Sequence, residues 1–474
     1  MIAGLHRESD WSAVRAVVVG IGTAGFSCAD ALAQLGARVV LLDAKDGEKQ
    51  RERAEILEVI GVDVRLGYDG AVPDCDVLIV SPGLPPAHPW IVEALGRGIE
   101  VWGELELAWR LRSAEGAAPW LVVTGTNGKT TTTLMLESML RAAGLRTVSA
   151  GNIGNSLVDV VMHDELDVIA VEVGAPQLPF LTSMSPEAAV CLNIADDHID
   201  HFGSFEAYVA AKARIYEHTQ VAAVYNVADE RTLHLVEEAD VIEGCRGIGF
   251  TLGIPGPSML GVVDGMLVDR AFVPDRAERA QELASVDDVK PNAPHNVANA
   301  LAAAALARAH GVSPVAIRDG LRAFVPAKHR IAEVATVDGI RYIDDSKATN
   351  AHAALTSLKA YPDIVWIAGG MAKGQDFDDL VREVSDRLRG VVLLGVDRQV
   401  IADALARHAP AVPTITVERT DTGAMVEVVA AARSLAHAGD TVLLAPGCAS
   451  WDMFRDYTHR GDAFAESVRA LEAT

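Results

Sequence analysis

Short runs of β-branched and aliphatic residues alternate with Ala- and Leu-rich stretches of helical period along almost the whole chain. Apolar runs of about four to eight residues bounded by Gly, Pro or Asp predict buried strands, and the stretches between them predict helices covering both faces of parallel sheets. The first strand is AVVVG at 16–20, followed by a glycine turn, the helical stretch FSCADALAQLG and a second strand, RVVLLD at 38–43. DVLIVSPGLPP at 76–86 predicts a later strand that ends in a Pro-rich loop. RSAEGAAP at 112–119 is small, polar and Pro-terminated, and marks a first boundary. Beyond it, WLVVT (120–124), LDVIAVEV (166–173), AAVCLNI (188–194) and VAAVYNV (221–227) predict a second set of buried strands. Residues 244–290 are rich in Gly, Pro and Asp with short apolar runs, which predicts a small β insertion. A long helix is expected from His295 to about Ala309, and FVPAKHR at 324–330 marks a second boundary. The last third alternates again, from GIRYID and NAHAALTSLKA through DIVWIAGG and VVLLGV to TVLLAP and a closing helix.

The pattern predicts an α/β protein of three domains: 1–114 Rossmann-like, 115–325 a central parallel sheet of ATPase type, and 326–474 again Rossmann-like. A length of 474 residues agrees with that division, since domains average roughly 150 residues. The net charge of -24 argues against a nucleic-acid backbone as partner, which calls for a basic face. It leaves room for a small phosphorylated substrate, which needs only a few local cations. Cys28, Cys75, Cys191, Cys245 and Cys448 are scattered and form no CxxC pair, so free thiols in a reducing compartment are expected, and no zinc site. The segment MIAGLHRESDW is too polar for a secretory leader, and no apolar run is long enough for a membrane span. The cytoplasm is the expected location, with no membrane insertion.

The most specific chemical signal is VVTGTNGKTTTT at 122–133, a strand running through a glycine loop into a helix. Gly125 and Gly128 allow close approach of backbone N–H groups to phosphates, and the helix start adds partial positive charge. Lys129 would reach the terminal phosphates and the Thr130 hydroxyl would ligate Mg²⁺. Val123 stands where the longer GxxxxGK[ST] pattern requires glycine, so the loop is the shorter form GTNGKT. A second glycine motif, GIGTAG at 20–25, has Gly20, Gly22 and Gly25 in GxGxxG spacing, with Asp43 ending the next strand. That is a dinucleotide-fold fingerprint, open to a nicotinamide cofactor, to another nucleotide, or to tight helix packing alone.

Carboxylates and histidines follow later strands: Glu172 after AVEV, then Asp196, Asp197, His198, Asp200 and His201. Sites in open α/β sheets lie beyond the carboxyl ends of strands, and Mg²⁺ on phosphates needs only one or two protein ligands, so Glu172 and His198 qualify. Loop solvation is the plain alternative for His198. Lys212, in FEAYVAAKARIYEH, reads from its helix alone as a solvated cation. In the last third, DDSKATN (344–350), AGGMAKGQDF (368–377) and APGCASWDMF (445–454) follow strands, and Lys347, Lys373 and Arg330 could bind anions.

Together these motifs resemble the Mur ligase family over essentially the whole chain: GTNGKT at 125–130, GNIG at 151–154, LNIADDHIDHF at 192–202, AAKARIYE at 210–217, HNVANALAA at 295–303 and HR at 329–330. DDSKATN and CASWDMF resemble the D-glutamate-adding branch. The resemblance implies an ATP-dependent ligase that joins D-glutamate to UDP-N-acetylmuramoyl-L-alanine through an acyl phosphate, in the synthesis of peptidoglycan precursors. It also implies a monomer whose domains close around the substrates. For ATP it implies Gly125, Thr126, Asn127, Gly128, Lys129, Thr130, Thr131, Asn296, Asn299, Arg330 and Asp345. For two Mg²⁺ ions it implies Thr130, Glu172, His198 and Lys212, the lysine carrying a CO₂-derived carbamate, with Lys129 completing the catalytic set. The uridine substrate would meet Gly22, Thr23, Ala24, Asp43, Lys45, Ser81, Gly83, Asn152 and His198. D-Glutamate would meet Lys347, Thr349, Lys373, Ser450, Trp451 and Tyr457, the last an aromatic position where relatives often carry Phe. One departure stands out: a serine-rich SSFQ-like segment usual after the metal-site glutamate is GAPQ at 174–177. A folate-polyglutamylating relative, an NAD-dependent dehydrogenase and a non-catalytic nucleotide-binding regulator are the competing readings.

Overall fold

The computed structural model describes residue 2 and residues 4–163, 165–197, 199–326 and 328–472. They form two compact units, one of residues 1–289 and 296–324, the other of 290–295 and 325–474.

The first unit contains two sheets. Strands β1 (Arg15–Val19), β2 (Arg38–Asp43), β3 (Asp63–Leu66), β4 (Val77–Val80) and β5 (Glu100–Gly103) form a parallel sheet in the order β3-β2-β1-β4-β5. The chain reverses its direction of growth between β1 and β4, so the crevice beyond their carboxyl ends is the topological switch point. The second sheet comprises β6 (Trp120–Thr124), β7 (Thr147–Gly151), β8 (Val168–Glu172), β9 (Ala188–Cys191), β10 (Ala222–Asn226), β11 (Arg246–Phe250), β12 (Met259–Val263), β13 (Met266–Asp269) and β14 (Gln281–Ser285), in the order β14-β13-β12-β11-β10-β9-β6-β8-β7. Burial explains the near-continuous apolar sequence of β6, β8 and β9, each buried along its whole length.

One sequence expectation changes here. The segment 244–290 is no separate insertion: β11 pairs in parallel with β10, and β12, β13 and β14 extend the same sheet with an antiparallel edge. The stretch around 112 is pinned in place, with the Arg112 guanidinium stacked 3.1 Å from the Trp109 ring centre and Trp109 edge-on to Trp120 at 5.0 Å. One apolar core, including Trp11, Val18, Trp102, Leu107, Trp120 and Val171, is shared by both sheets.

The second unit holds β15 (Ala332–Val337), β16 (Ile340–Asp344), β17 (Ile364–Gly369), β18 (Leu388–Leu394), β19 (Thr414–Thr416) and β20 (Thr441–Leu444), in the order β15-β16-β20-β17-β18-β19. Only β15 runs antiparallel, and apolar clusters cover both faces of the sheet. No helix among the described residues is long and apolar enough to cross a membrane.

Candidate active site

The GTNGKT loop leaves β6 and enters the helix Lys129–Ala142 through Gly128, whose φ of +86° is the left-handed conformation glycine tolerates. A Cβ at Gly128 would lie 2.5 Å from Asn299 Oδ1, so the loop lies directly against the asparagine helix. Asn296 accepts from Asn299 Nδ2 at 3.2 Å, which joins both predicted asparagines to the loop. Lys129 Nζ donates to the carbonyls of Gly125 (2.8 Å) and Thr126 (2.9 Å). Thr130 and Thr131 lie in the first helical turn, where amides lack intrahelical acceptors and favour an anion.

The rest of the loop is braced from below. Asn193 takes the Asn127 N–H on Oδ1 at 2.9 Å, donates from Nδ2 to the Asn127 carbonyl at 3.1 Å, and accepts the Thr126 N–H on its own carbonyl at 3.0 Å. The Thr126 hydroxyl lies 2.7 Å from the Tyr208 hydroxyl and accepts the Ala195 N–H at 2.9 Å. The Thr126 and Asn127 amides are therefore engaged within the protein. Asn193 and Tyr208 were not singled out from sequence, although Asn193 lies directly after an apolar strand, where ligand loops start.

Beside this loop, Glu172 ends β8 and is 1% exposed. Its Oε1 accepts from Asn152 Nδ2 at 2.8 Å, while its Oε2 is buried with no hydrogen-bond partner among the described residues. Lys212 is fully buried, which overturns the solvated-cation reading of its helix. Its Nζ lies 3.5 Å from Thr124 Oγ1 and 4.9 Å from the Tyr208 ring centre, and pairs with no carboxylate among the described residues. Burial, aided by the nearby positive charge of Lys129, pushes its pKa down to about 7. Among the described residues no three His, Cys, Asp or Glu side chains converge as a metal cluster. A phosphate-bound Mg²⁺ does not require one, and the orphaned Glu172 oxygen suits a cation ligand. His198 lies outside the described residues.

A cleft of about 430 Å³ opens at the switch point of the first sheet. It brings together Gly22, Thr23, Ala24, Ser81, Gly83 and Asn152 from the predicted uridine-substrate set. Gly25 keeps the adjoining glycine turn close to its helix, because a Cβ there would lie 1.8 Å from the Gly20 carbonyl oxygen. Asp43 and Lys45 are not in the lining. Asp43 instead accepts the Ile21 N–H and the Lys45 N–H, each at 2.8 Å, and so shapes the glycine turn. Glu104, Ser156 and Gln177 also line the cleft. Glu104 Oε1 accepts from the Ser156 hydroxyl (2.7 Å) and the Leu157 amide (2.9 Å), and burial raises its pKa. In the GAPQ departure, Gln177 Oε1 accepts the Gly174 N–H at 2.8 Å, and a Cβ at Gly174 would approach Asn152 Oδ1 to 3.0 Å.

In the second unit, three loops follow the adjacent strands β16, β20 and β17. Lys347 Nζ lies 4.0 Å over the Tyr457 ring and Lys373 Nζ 4.2 Å over the Trp451 ring, each a cation–π pair. Ser450 is buried, and the main chains of Met371 and Ala449 exchange hydrogen bonds of 2.9 and 3.0 Å. Thr349 follows in the Lys347 loop, with its N–H on the Lys347 carbonyl at 2.8 Å. Asp345 is buried against the Ser357 hydroxyl, and burial pushes its pKa up to about 6. Arg330 is half-buried and its charge opposes that rise. Its neighbour His329 is buried with Nδ1 2.6 Å from Asp344 Oδ2, a bond that raises its pKa.

Three segments match described domains: residues 14–103 the MurD-like N-terminal domain of Mur ligases, 123–252 the Mur ligase middle domain, and 329–448 the glutamate ligase domain of Mur ligases. The chain is 59% identical over 467 residues to the UDP-N-acetylmuramoylalanine–D-glutamate ligase of Streptomyces avermitilis, covering 98% of this chain and 100% of that protein. It is 58% identical to the ligase of the same name from Streptomyces coelicolor, with the same two coverages, 98% and 100%. Among solved structures, the MurF ligase of Thermotoga maritima in complex with ADP shares the fold, with a TM-score of 0.58 at 17% identity over 92% of this chain and 95% of that one.

Proposed function

The chain belongs to the Mur ligase family, and from that premise we propose that it joins D-glutamate to UDP-N-acetylmuramoyl-L-alanine at the expense of ATP. The observation that carries this reading is similarity along the full length to D-glutamate ligases. The geometry described above supports the roles proposed for the residues below.

A carboxylate is a poor electrophile, and phosphorylation by ATP converts it into an acyl phosphate with a good leaving group. Lys129 and the amides of the first turn at Thr130 and Thr131 offset charge on the phosphoryl group in transit. Gly125, Thr126, Asn127 and Gly128 give the loop its shape. Asn296 and Asn299 border the nucleotide, and Arg330 and Asp345 complete its contacts. Bound Mg²⁺ supplies charge neutralisation on the phosphates, and Thr130, Glu172, His198 and Lys212 would hold it at two sites. The buried Glu172 Oε2, without a hydrogen-bond partner among the described residues, supports that role. Lys212 suits a carbamate: a neutral amine attacks CO₂, an N–C bond forms, one proton leaves, and a buried cation becomes an anionic ligand. Its pKa of about 7 provides the neutral amine near physiological pH.

The cleft at the switch point accepts the uridine substrate, with Gly22, Thr23, Ala24, Ser81 and Gly83 around the nucleotide and Asn152 toward the reacting end; His198, outside the described residues, is assigned to the same substrate by the family resemblance. Asp43 and Lys45 shape or flank the turn that receives it. Lys347, Thr349, Lys373, Ser450, Trp451 and Tyr457 hold D-glutamate, the two lysines opposing its carboxylates. The D-glutamate amine attacks the acyl phosphate, its proton leaves, and collapse of the tetrahedral intermediate releases phosphate. The domains follow the same division: 1–114 for the uridine substrate, 115–325 for ATP, 326–474 for the amino acid. The protein acts as a cytoplasmic monomer. Mass spectrometry of the nucleotide product tests the reaction: the expected gain is one glutamate less one water, and ATP turnover that leaves the nucleotide unmodified overturns it.

A further inference from the structure

The cleft at the switch point holds a carboxylate that the mechanism above does not use. Glu104 follows β5 directly and opens the helix Glu104–Arg110. It is the one charged side chain in the cleft lining among the described residues, and it is 5% exposed. Its Oε1 takes both the Ser156 hydroxyl at 2.7 Å and the Leu157 amide at 2.9 Å. No hydrogen bond from the described residues reaches Oε2, which is not sealed off and opens to the cleft.

Holding Ser156 and Leu157 does not call for a charge, because an amide oxygen at the same place would accept the same two donors. A buried carboxylate costs free energy unless donors satisfy it, and burial, with the Asp159 carboxylate nearby, raises the Glu104 pKa. The open oxygen therefore calls for a donor brought by the ligand. Its charge decides which part of the ligand that is. A diphosphate is repelled by a carboxylate and suits the glycine turn instead, where Gly22 leads into the unpaired amides of the helix Thr23–Gln34. Ser156 and Asn152, which share the cleft with Glu104, belong to the segment after β7. A neutral, donor-bearing part of the ligand fits that side: the hydroxyls and amide N–H of the sugar.

We propose that Glu104 is a specificity-determining residue for the uridine substrate. Its Oε2 accepts a hydrogen bond from a hydroxyl or amide N–H of the sugar, and its charge keeps the diphosphate at the glycine turn. The inference rests on the reading of this cleft as the uridine-substrate site.

Steady-state kinetics of the full chain with Glu104→Gln test it. The glutamine oxygen keeps the Ser156 and Leu157 bonds, and its NH₂ group then faces the cleft, a donor where an acceptor stood. The KM for UDP-N-acetylmuramoyl-L-alanine should rise about tenfold or more, the scale of a lost hydrogen bond to a charged group. UDP carries the diphosphate without the sugar, so its inhibition constant should stay at the wild-type level, as should the KM for ATP. Ser156→Ala is the second variant: it frees the carboxylate from one of its two donors and should raise the same KM severalfold, again with UDP inhibition unchanged. An unchanged KM for the uridine substrate in folded Glu104→Gln, or an equal weakening of that KM and of UDP inhibition, overturns the proposal. If Glu104→Gln does not fold, an unchanged KM in Ser156→Ala overturns it. Wild-type protein that UDP does not inhibit and that leaves the uridine substrate unmodified contradicts the functional reading instead.

Discussion

Lys212 is the residue whose chemistry depends most on its surroundings. An exposed lysine would stay protonated and could not take up CO₂ at neutral pH, whereas burial brings its pKa to about 7. Below that value the ammonium form dominates in the folded protein, and above it the neutral amine does. Activity limited by a carbamate should therefore fall as pH drops through about 7, and added bicarbonate should partly restore it. Activity that is flat from pH 6 to 8 and insensitive to CO₂ removal would exclude the modification. Lys129→Ala should lower kcat by about a thousandfold or more, the scale of losing a group that stabilises transition-state charge, with an unchanged circular dichroism spectrum. Asn152→Ala should also impair turnover, because it releases Glu172 Oε1 from the Asn152 amide that donates to it at 2.8 Å. A kcat within twofold of wild type would show that Glu172 needs no such orientation.

At the scale of elements, the glycine turns fix where the ligands can go. Gly25→Ala would push a methyl group into the Gly20 carbonyl, 1.8 Å away, and separate the helix Thr23–Gln34 from β1. An overpacking cost of about 1–3 kcal/mol is expected, with a weakened KM for the uridine substrate and little change in that for ATP. Thermal unfolding together with those two KM values checks it. Strands with strong apolar runs, such as β6 and β20, were legible from pattern alone. β7 (TVSAG), β15 (AEVATV) and β19 (TIT) were not, because they are short or half exposed and carry little contrast. The antiparallel edge of the central sheet was misread as an insertion, since sequence cannot reveal which strand β11 pairs with. The phosphate loop was legible because strand, glycines, lysine and helix are contiguous. Asn193 and Glu104 were not, because their partners lie 66 and 52 residues away in the chain. For Lys212 the helix alone suggested a solvated cation and only the family resemblance pointed to a metal-site role, because the helix that carries it does not by itself say what covers it.

Across the whole molecule, the loops that carry many of the candidate residues leave the carboxyl ends of strands, while Lys212, Asn296 and Asn299 sit on helices. In the first unit they follow β1, β4, β6, β7 and β8, and in the second they follow β16, β17 and β20, always at the carboxyl ends. That is where open α/β sheets present loops and helix starts to ligands. The acidic net charge of -24 is compatible with anionic substrates because the cations Lys129, Lys347 and Lys373 are local to these loops. The central claim is that this arrangement couples ATP cleavage to the joining of D-glutamate and UDP-N-acetylmuramoyl-L-alanine. The most direct measurement is phosphate release from ATP with the uridine substrate present, comparing D-glutamate, L-glutamate and no amino acid. Release that requires both the uridine substrate and D-glutamate is the predicted result. Release that proceeds equally with L-glutamate or with no amino acid, or no release with either enantiomer, would contradict the account.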